Sequence, residues 1–209
     1  YKTMVTDENG NITRYLFDRL GNLTEMIEPR EYKKGENSLP GTRYEYDDFD
    51  HIIRTINPEG DVIATFQDVD GHILKEINPN SYNEETKDGE GILYEYDTDG
   101  NRTHIHYPDG GTERLFYDAN KNIIKKVLPM DYDAGTDDGC GYSYEYDCVN
   151  RLVQITNPEG VVEKRYVYNL TGYMVKEINA KGYQMADTDE ERIGTLFVYN
   201  KPGWLIEKR

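Results

Sequence analysis

Residues 142–160 read YSYEYDCVNRLVQITNPEG, and most of the chain can be aligned to this stretch. Two alternating segments, around residues 144–146 and 151–156, are separated by a polar turn and followed by Pro-Glu-Gly at residues 158–160. This pattern is typical of a β-hairpin and its exit turn. The corresponding turns end in Gly10, Gly60, Gly110 and Gly160, at intervals of 50 residues. Such a regular period predicts a repeat architecture.

The residue that follows the paired aromatic positions marks each hairpin. These marker residues are Asp18, Asp47, Asp68, Asp97, Asp118, Asp147, Asn169 and Asn200. Three residues after each marker stand Gly21, Asp50, Gly71, Gly100, Lys121, Asn150, Gly172 and Gly203. Gly, Asn and Asp tolerate positive φ, so this is the left-handed position of a tight turn, with Lys121 as the strained exception.

Eight such turns predict an all-β fold of about sixteen short strands and no helix of consequence. We expect an antiparallel meander of tandem hairpins that forms a twisted, curved sheet. Residues 1–209 are interpreted as a single array of about four two-hairpin units of 50 residues. Because residue 1 is Tyr and aligns with His51, we expect a fragment of a longer repeat protein, cut inside repeats at both ends.

Long loops alternate with the short Pro-Glu-Gly connections. They cover residues 30–43, 80–93, 130–143 and 181–194, and each has a tyrosine near its start: Tyr32, Tyr82, Tyr132 and Tyr183. One ring at one phase in every loop suggests an anchor, so we expect these loops to fold back onto the array.

Tyrosine outnumbers phenylalanine 19 to 5, and the tyrosines alternate within strands. The pairs are Tyr44 and Tyr46, Tyr94 and Tyr96, Tyr144 and Tyr146, and Tyr166 and Tyr168. Each pair lies on one face of a strand, and equivalent rings are expected to stack into structural ladders across the sheet. The alternative is an exposed platform for sugar rings. Trp204, the only tryptophan, continues the returning-strand pattern and is predicted to lie in the core.

The composition argues against several partners. The 24 Lys and Arg residues stand against 40 Asp and Glu, a formal charge of -16, so a nucleic-acid backbone would be repelled. No apolar run has the length of a membrane span, and no signal peptide is recognisable. Neither nucleic acid nor membrane insertion of this segment is expected.

The acidic loops are the strongest candidates for ligand chemistry. Loop 130–143 contains Asp131, Asp133, Asp137 and Asp138, which could supply oxygen ligands to calcium. The spacing lacks the third alternate ligand and the closing Glu of an EF-hand, so solvated acidic loops without a cofactor are the simpler interpretation. A hydrolytic pair of carboxylates needs a defined separation across a cleft, which sequence spacing on a repeat array cannot show, and no enzymatic activity is expected.

The histidines and cysteines also have simple interpretations. His104 and His106 are two residues apart on one strand face and could ligate a metal together, although no third ligand is evident and exposed strand histidines explain them as well. Cys140 and Cys148 flank one strand, so an extended chain would place them roughly 26 Å apart, beyond disulfide reach. They are expected to be free thiols.

A tandem Tyr-x-Tyr-Asp-x-x-Gly core with a downstream Pro-x-Gly turn resembles the RHS or YD-repeat family. The motif stands here at residues 94–100 as YEYDTDG, and in looser form at residues 15–21 as YLFDRLG. The resemblance covers the whole chain. It implies a long β-sheet that spirals into a hollow shell, as found in bacterial secreted and wall-associated proteins, in toxins whose shell encloses a C-terminal effector, and in teneurins. The family's aspartate-dependent self-cleavage motif, of the Asp-Pro-x-Gly-Leu kind, does not occur here.

The resemblance therefore implies a non-enzymatic scaffold segment of a large secreted or cell-surface protein. Its partners would be the remaining repeats and an effector domain of the same polypeptide. The alternative is an extracellular adhesion module that binds cell-surface glycan or calcium through exposed tyrosine faces and acidic loops.

Overall fold

The computed structural model describes residues 1–36 and 39–209. The fold is almost entirely β: the described residues form 21 strands, of which 17 belong to one antiparallel sheet, and a single helix of five residues. The all-β meander predicted from the repeats is confirmed. Residues 37 and 38, inside the first long loop, lie outside the described residues. None of the described residues belongs to a helix that is long and apolar enough to cross a membrane.

The chain divides into two compact units. The first consists of Tyr1–Glu95 with Ile105–Gly110, and the second of Tyr96–His104 with Gly111–Arg209. Each unit is built from the same 50-residue repeats. The description of the chain as a single array stays a prediction.

In the first unit, consecutive strands of the main sheet pair antiparallel with their neighbours in sequence, from β1 to β7, and β7 then pairs with β10. The strands are β1 (Lys2–Thr6), β2 (Ile12–Phe17), β3 (Leu23–Ile27), β4 (Thr42–Tyr46), β5 (Ile52–Ile56), β6 (Val62–Gln67), β7 (Ile73–Ile77), β8 (Tyr82–Asn83), β9 (Asp88–Gly89) and β10 (Ile92–Tyr96). The next strand, β11 (Arg102–His106), contributes residues to both units, as does β10.

The second unit repeats the meander, in the order β12-β13-β16-β17-β18-β19-β20-β21. The strands are β12 (Thr112–Tyr117), β13 (Ile123–Val127), β14 (Tyr132–Asp133), β15 (Asp138–Gly139), β16 (Tyr142–Tyr146), β17 (Leu152–Thr156), β18 (Val162–Tyr168), β19 (Met174–Asn179), β20 (Thr195–Tyr199) and β21 (Leu205–Lys208).

The long loops contain more structure than the sequence analysis predicted. Strands β8 and β9 form a small hairpin in loop 80–93, and β14 and β15 form its counterpart in loop 130–143. The last long loop begins with helix α1 (Ala180–Gln184), which is capped by the Asn179 side chain accepting from the Gly182 amide at 2.9 Å. A strand of two residues is too short to show alternation of apolar and polar residues, so these strands could not be predicted from the sequence pattern.

Tyr82 and Tyr132 contact strands of the sheet, whereas Tyr183 contacts its own loop. The Tyr82 hydroxyl accepts a hydrogen bond from Arg54 of β5 at 3.3 Å. Tyr132 meets His104 of β11 edge to face, with ring centroids 6.3 Å apart. The Tyr183 ring lies 3.6 Å from the Arg192 guanidinium carbon.

The most deeply buried side chains repeat with the period of the chain. Ile27, Ile77, Val127 and Ile178 each expose 0% of their surface, and each lies at or next to the end of a returning strand. The long loop that follows covers this residue. The other buried apolar residues of the described chain are Leu39, Val62, Ala64 and Leu115, so the small core of each repeat is centred on one β-branched residue beneath its own loop.

Glycines let the loop backbone come this close. A Cβ atom at Gly139 would lie 1.9 Å from the carbonyl oxygen of Asp131, and one at Gly141 would lie 2.6 Å from that of Lys126 and 3.0 Å from Cγ2 of Val127. Gly89 and Gly91 around Ile77, and Gly182 and Gly194 around Ile178, are equally crowded. These glycines are not among the residues predicted from the sequence, although their recurrence near the ends of the long loops is a signal that could have identified them.

The glycines of the turns are constrained in a different way. A Cβ atom at Gly10, Gly21, Gly60, Gly110 or Gly160 would have no other atom within 4 Å, so only the positive φ of the backbone restricts the residue there. Asp50, Lys121 and Asn150 occupy equivalent turn positions with φ of 64°, 67° and 63°. A side chain is therefore tolerated in these turns, but not beneath the long loops.

We expect Gly139→Ala to lower the free energy of unfolding by roughly 1–3 kcal/mol or more, because its methyl group would overlap backbone that cannot rotate away. Gly110→Asn is the matched control: φ is 89°, the space is open, and Asn adopts this conformation readily. Urea unfolding of both variants measures the difference. Equal losses, or a larger loss for Gly110→Asn, would contradict this description of the core.

Candidate functional site

Each hairpin turn is closed by its marker residue, an aspartate in six hairpins and an asparagine in the two at Asn169 and Asn200. Asp147 shows the arrangement: its Oδ1 accepts from the amides of Val149 and Arg151, both at 3.0 Å, and the Asn150 amide donates to the Asp147 carbonyl at 3.0 Å. Its Oδ2 accepts from Arg151 Nε at 2.6 Å. A side-chain oxygen also receives the amides two and four residues on at Asp7, Asp18, Asp47, Asp68, Asp97, Asp118 and Asn169.

The predicted left-handed positions all have positive φ. The eight residues three after a marker are Gly21, Asp50, Gly71, Gly100, Lys121, Asn150, Gly172 and Gly203, and the exit-turn glycines are Gly10, Gly60, Gly110 and Gly160. With positive φ at this position, the chain reverses tightly enough for one carboxylate to reach the backbone amides of the turn. The aspartate therefore supplies hydrogen bonds that the turn amides would otherwise have to find in water.

The hydrogen bonds favour the ionised form of these aspartates. The side-chain hydrogen bond from Asn101 lowers the pKa of Asp97, and that from Asn122 lowers the pKa of Asp118. His72 lowers the pKa of Asp68 in the same way. The turn carboxylates thus hold their negative charge to lower pH than an unbonded aspartate.

A tyrosine that stands before a marker connects its strand to the preceding one in several hairpins. The hydroxyl of Tyr146 in β16 donates to the carbonyl of Ile123, the first residue of β13, at 3.0 Å. Backbone pairing between β13 and β16 is confined to Lys125 with Ser143 and Lys126 with Tyr142, so the Ile123 carbonyl lies beyond the paired region. The tyrosine hydroxyl supplies the donor that the backbone ladder does not.

The same contact recurs along the chain. Tyr46 donates to the Leu23 carbonyl at 2.8 Å, Tyr117 to Arg102 at 2.8 Å, Tyr168 to Leu152 at 2.8 Å and Tyr199 to Met174 at 2.9 Å, and every acceptor is the first residue of the preceding strand. We call these contacts the tyrosine links. Burial raises the pKa of Tyr46, Tyr117, Tyr146 and Tyr168.

The register interleaves these rings with aliphatic side chains. Tyr46 lies opposite Ile52, Tyr146 opposite Leu152, and Tyr168 opposite Met174. A returning strand therefore separates equivalent tyrosines, which lie two strand spacings, or about 10 Å, apart. Their immediate neighbours across the sheet are aliphatic rather than aromatic. The pairs 44/46, 94/96, 144/146 and 166/168 are all half-buried.

The four aspartates considered for calcium do not converge. Asp138 pairs with Lys125 at 2.6 Å, Asp133 accepts the Gly135 amide at 2.9 Å, and Asp137 turns toward β11 and β12. Within the described chain, Asp131 does not form a group of possible metal ligands with the other three aspartates. The expectation of solvated acidic side chains is thus too simple for this loop, since at least two of its carboxylates are held in ion pairs.

Asp137 is the centre of a polar cluster that the sequence analysis missed. Its Oδ1 lies 2.8 Å from His104 Nε2 and accepts the Tyr132 hydroxyl at 2.9 Å, while its Oδ2 lies 3.3 Å from Arg114 Nε. The hydrogen bond from His104 lowers the pKa of Asp137. Because this loop residue bonds to side chains of two strands, His104 of β11 and Arg114 of β12, the cluster holds the loop onto the sheet.

The two strand histidines bind different carboxylates. His104 meets Asp137, whereas His106 Nε2 lies 3.0 Å from Glu95. In the part of the chain that the structure describes, three side chains able to hold a metal ion come together only at Asp68, Asp70 and His72. These lie in one hairpin turn, and the Asp68–His72 contact of 2.9 Å has a counterpart in Asp47 and His51 at 3.2 Å, so closing the turn explains it.

Three further residues named in the sequence analysis, Cys140, Cys148 and Trp204, are exposed. Cys140 and Cys148 are free and exposed. Trp204 was predicted to be in the core, and this is wrong: 74% of its surface is exposed. It occupies the turn before β21, whose four residues are all exposed, and no strand or loop among the described residues covers its side chain.

No protein-family model and no curated protein sequence matches the chain. Solved structures do match. TcdB2-TccC3-Cdc42 superposes with a TM-score of 0.65 at 12% identity, over 99% of this chain and 12% of that one. TcdB2-TccC3 without its hypervariable C-terminal region gives 0.65 at 13% identity, with the same two coverages. The Photorhabdus luminescens Tc holotoxin pore gives 0.51 at 14%, over 98% of this chain and 12% of that one.

The chain shares its fold with segments of these toxin-complex chains, which contain an RHS-repeat shell. The similarity confirms the fold expected from the Tyr-x-Tyr-Asp-x-x-Gly motif. The chain spans about an eighth of the length of the RHS-repeat chains that it matches. At these identities the comparison establishes the fold, and the activity of the longer proteins is not transferred by it.

The tyrosine links predict a difference between two tyrosines of one strand. Tyr146→Phe should lower the free energy of unfolding by about 1–3 kcal/mol, because it leaves the Ile123 carbonyl without its donor. Tyr144→Phe is the matched control, since its hydroxyl has no hydrogen-bond partner within the described chain. Thermal or urea unfolding measures both. A loss for Tyr146→Phe no larger than that for Tyr144→Phe would show that the link contributes nothing.

Proposed function

We propose that this chain is a structural wall segment of a larger RHS-repeat polypeptide and has no enzymatic activity. The observation that carries the proposal is the match of nearly the whole chain to a small part of the TcdB2-TccC3 chains. A segment of this kind serves by its shape: a continuous sheet with closed turns and covered returning strands. The partners we propose are the remaining repeats and an effector domain of the same polypeptide.

The polar side chains support a structural role. The turn aspartates bind backbone amides, the tyrosines bind carbonyls, and Asp137 binds His104 and Arg114. These groups are engaged in holding one part of the chain to another. The two exposed cysteines have no histidine partner among the described contacts that would mark a nucleophile.

We further propose that the parent protein is secreted or displayed on the cell surface, as the resemblance to RHS-repeat proteins implies. Enclosure of an effector belongs to the same proposal. The alternative role, an adhesion module for glycan or calcium, has less support in the geometry. The tyrosine rings are half-buried with hydroxyls linked to carbonyls, and the acidic loop residues Asp137 and Asp138 are in ion pairs.

Electron cryomicroscopy of the full-length polypeptide tests the proposal. We expect this segment to continue through its sheet into neighbouring repeats and to form part of a wall around an enclosed volume. A glycan array and a calcium titration of the same protein provide the second arm, in which neither ligand should bind this segment. A segment that stands apart as an appendage, or a glycan bound on its tyrosine face, would contradict the wall proposal.

A further inference from the structure

In one repeat, the residue that pairs with the buried core residue differs from its equivalents in the other repeats. The residue paired across the sheet with the buried Ile or Val is an arginine in three repeats: Arg14 with Ile27, Arg114 with Val127 and Arg165 with Ile178. In the remaining repeat it is Ala64, paired with Ile77. An alanine therefore stands where the chain otherwise places a long cationic side chain.

In two of these repeats the arginine meets a carboxylate of the long loop. Arg114 Nε lies 3.3 Å from Asp137, and Arg165 Nε lies 3.0 Å from Asp189. In the Ala64 repeat, the residue 50 positions before Asp137 is Lys87, and both have positive φ, 57° and 55°. Loss of the strand cation is thus accompanied by reversal of the loop charge.

A cavity of about 280 Å³ occupies this place in the first unit. It is lined by Asp47, Ile53, Arg54, Ala64, Thr65, Phe66, Gln67 and Lys87. In the second unit the Arg114 guanidinium carbon lies 4.3 Å from the centroid of the Phe116 ring, and Phe66 is the equivalent ring here. The cavity therefore keeps the aromatic ring of Phe66 but lacks the arginine that covers Phe116. Its volume is near the lower end for small-molecule sites, about 300 Å³.

The charged groups of the lining favour a negative ligand. Arg54 and Lys87 are cations, while the one carboxylate, Asp47, is held by its own turn through the amides of Phe49 and His51. Arg54 and Lys87 contact Glu45 and Glu84, whose side chains are 42% and 70% exposed and lie outside the lining. A bound carboxylate can replace these exposed partners without leaving a buried charge unpaired.

We propose that this cavity binds a small aromatic carboxylate. The ring would lie among Ile53, Ala64 and Phe66, and the carboxylate would accept hydrogen bonds from Arg54 and Lys87. Such a site goes beyond a wall role and does not depend on it, since it is formed within one repeat.

Phenylacetate is the probe, titrated into the ¹⁵N-labelled chain and followed by amide chemical shifts. We expect saturable shifts at Ile53, Ala64 and Phe66. Benzyl alcohol and 2-phenylethylamine, which keep the ring but not the negative charge, should bind at least ten-fold more weakly. Equal affinity for all three compounds, or no saturable shift at these amides, would overturn the proposal.

The other repeats supply the variant that closes the site. The double variant Ala64→Arg with Lys87→Asp rebuilds the pair seen at Arg114 and Asp137, so the chain should stay folded and lose phenylacetate binding at least ten-fold. Unchanged binding by this variant would overturn the proposal.

Lys87→Gln tests the charge alone. It should reduce the preference for phenylacetate over benzyl alcohol, whereas Lys201→Gln, at an exposed turn of the other unit, should leave that preference unchanged. If both lysine variants behave alike, the carboxylate is attracted by overall charge rather than by this cavity, and the proposal fails.

Discussion

Contact between a long loop and a single buried β-branched residue is the constraint on which each repeat depends. Ile27, Ile77, Val127 and Ile178 are fully buried, and the loop backbone reaches them at glycines such as Gly139 and Gly141. A chain with 36% hydrophobic residues and this much charge has little other apolar core in its described part. Close approach of backbone to side chain therefore replaces the broad apolar layer of an ordinary β-sandwich.

Two polar contacts extend this arrangement along the sheet. The marker aspartate or asparagine closes each hairpin. In several hairpins the tyrosine before the marker donates to the first carbonyl of the preceding strand, as Tyr146 does to Ile123. One contact acts within a hairpin and the other between neighbouring strands. Together they give a physical reason for the last two residues of the Tyr-x-Tyr-Asp motif: the second tyrosine and the aspartate each bond to backbone groups that the sheet leaves without partners.

The sequence predicted what the period and the turn chemistry determine. Positive φ at Lys121 followed from its place in the turn, despite an unfavourable residue type. The small loop hairpins did not follow, because two-residue strands leave no periodic signal. In the sequence, Asp137 cannot be distinguished from the other three aspartates of its loop, because only the fold places His104 and Arg114 beside it. Trp204 was misassigned because an alternating pattern specifies a face of a strand but not what covers that face.

Native-state hydrogen exchange tests most directly whether the loop-covered residues hold the repeats together. The account predicts that the slowest-exchanging backbone amides of each repeat cluster in β3, β7, β13 and β19, where Ile27, Ile77, Val127 and Ile178 lie beneath their loops. It also predicts comparable protection in these four strands. Slowest exchange in the hairpins away from the loops, with rapid exchange around these four residues, would contradict the account.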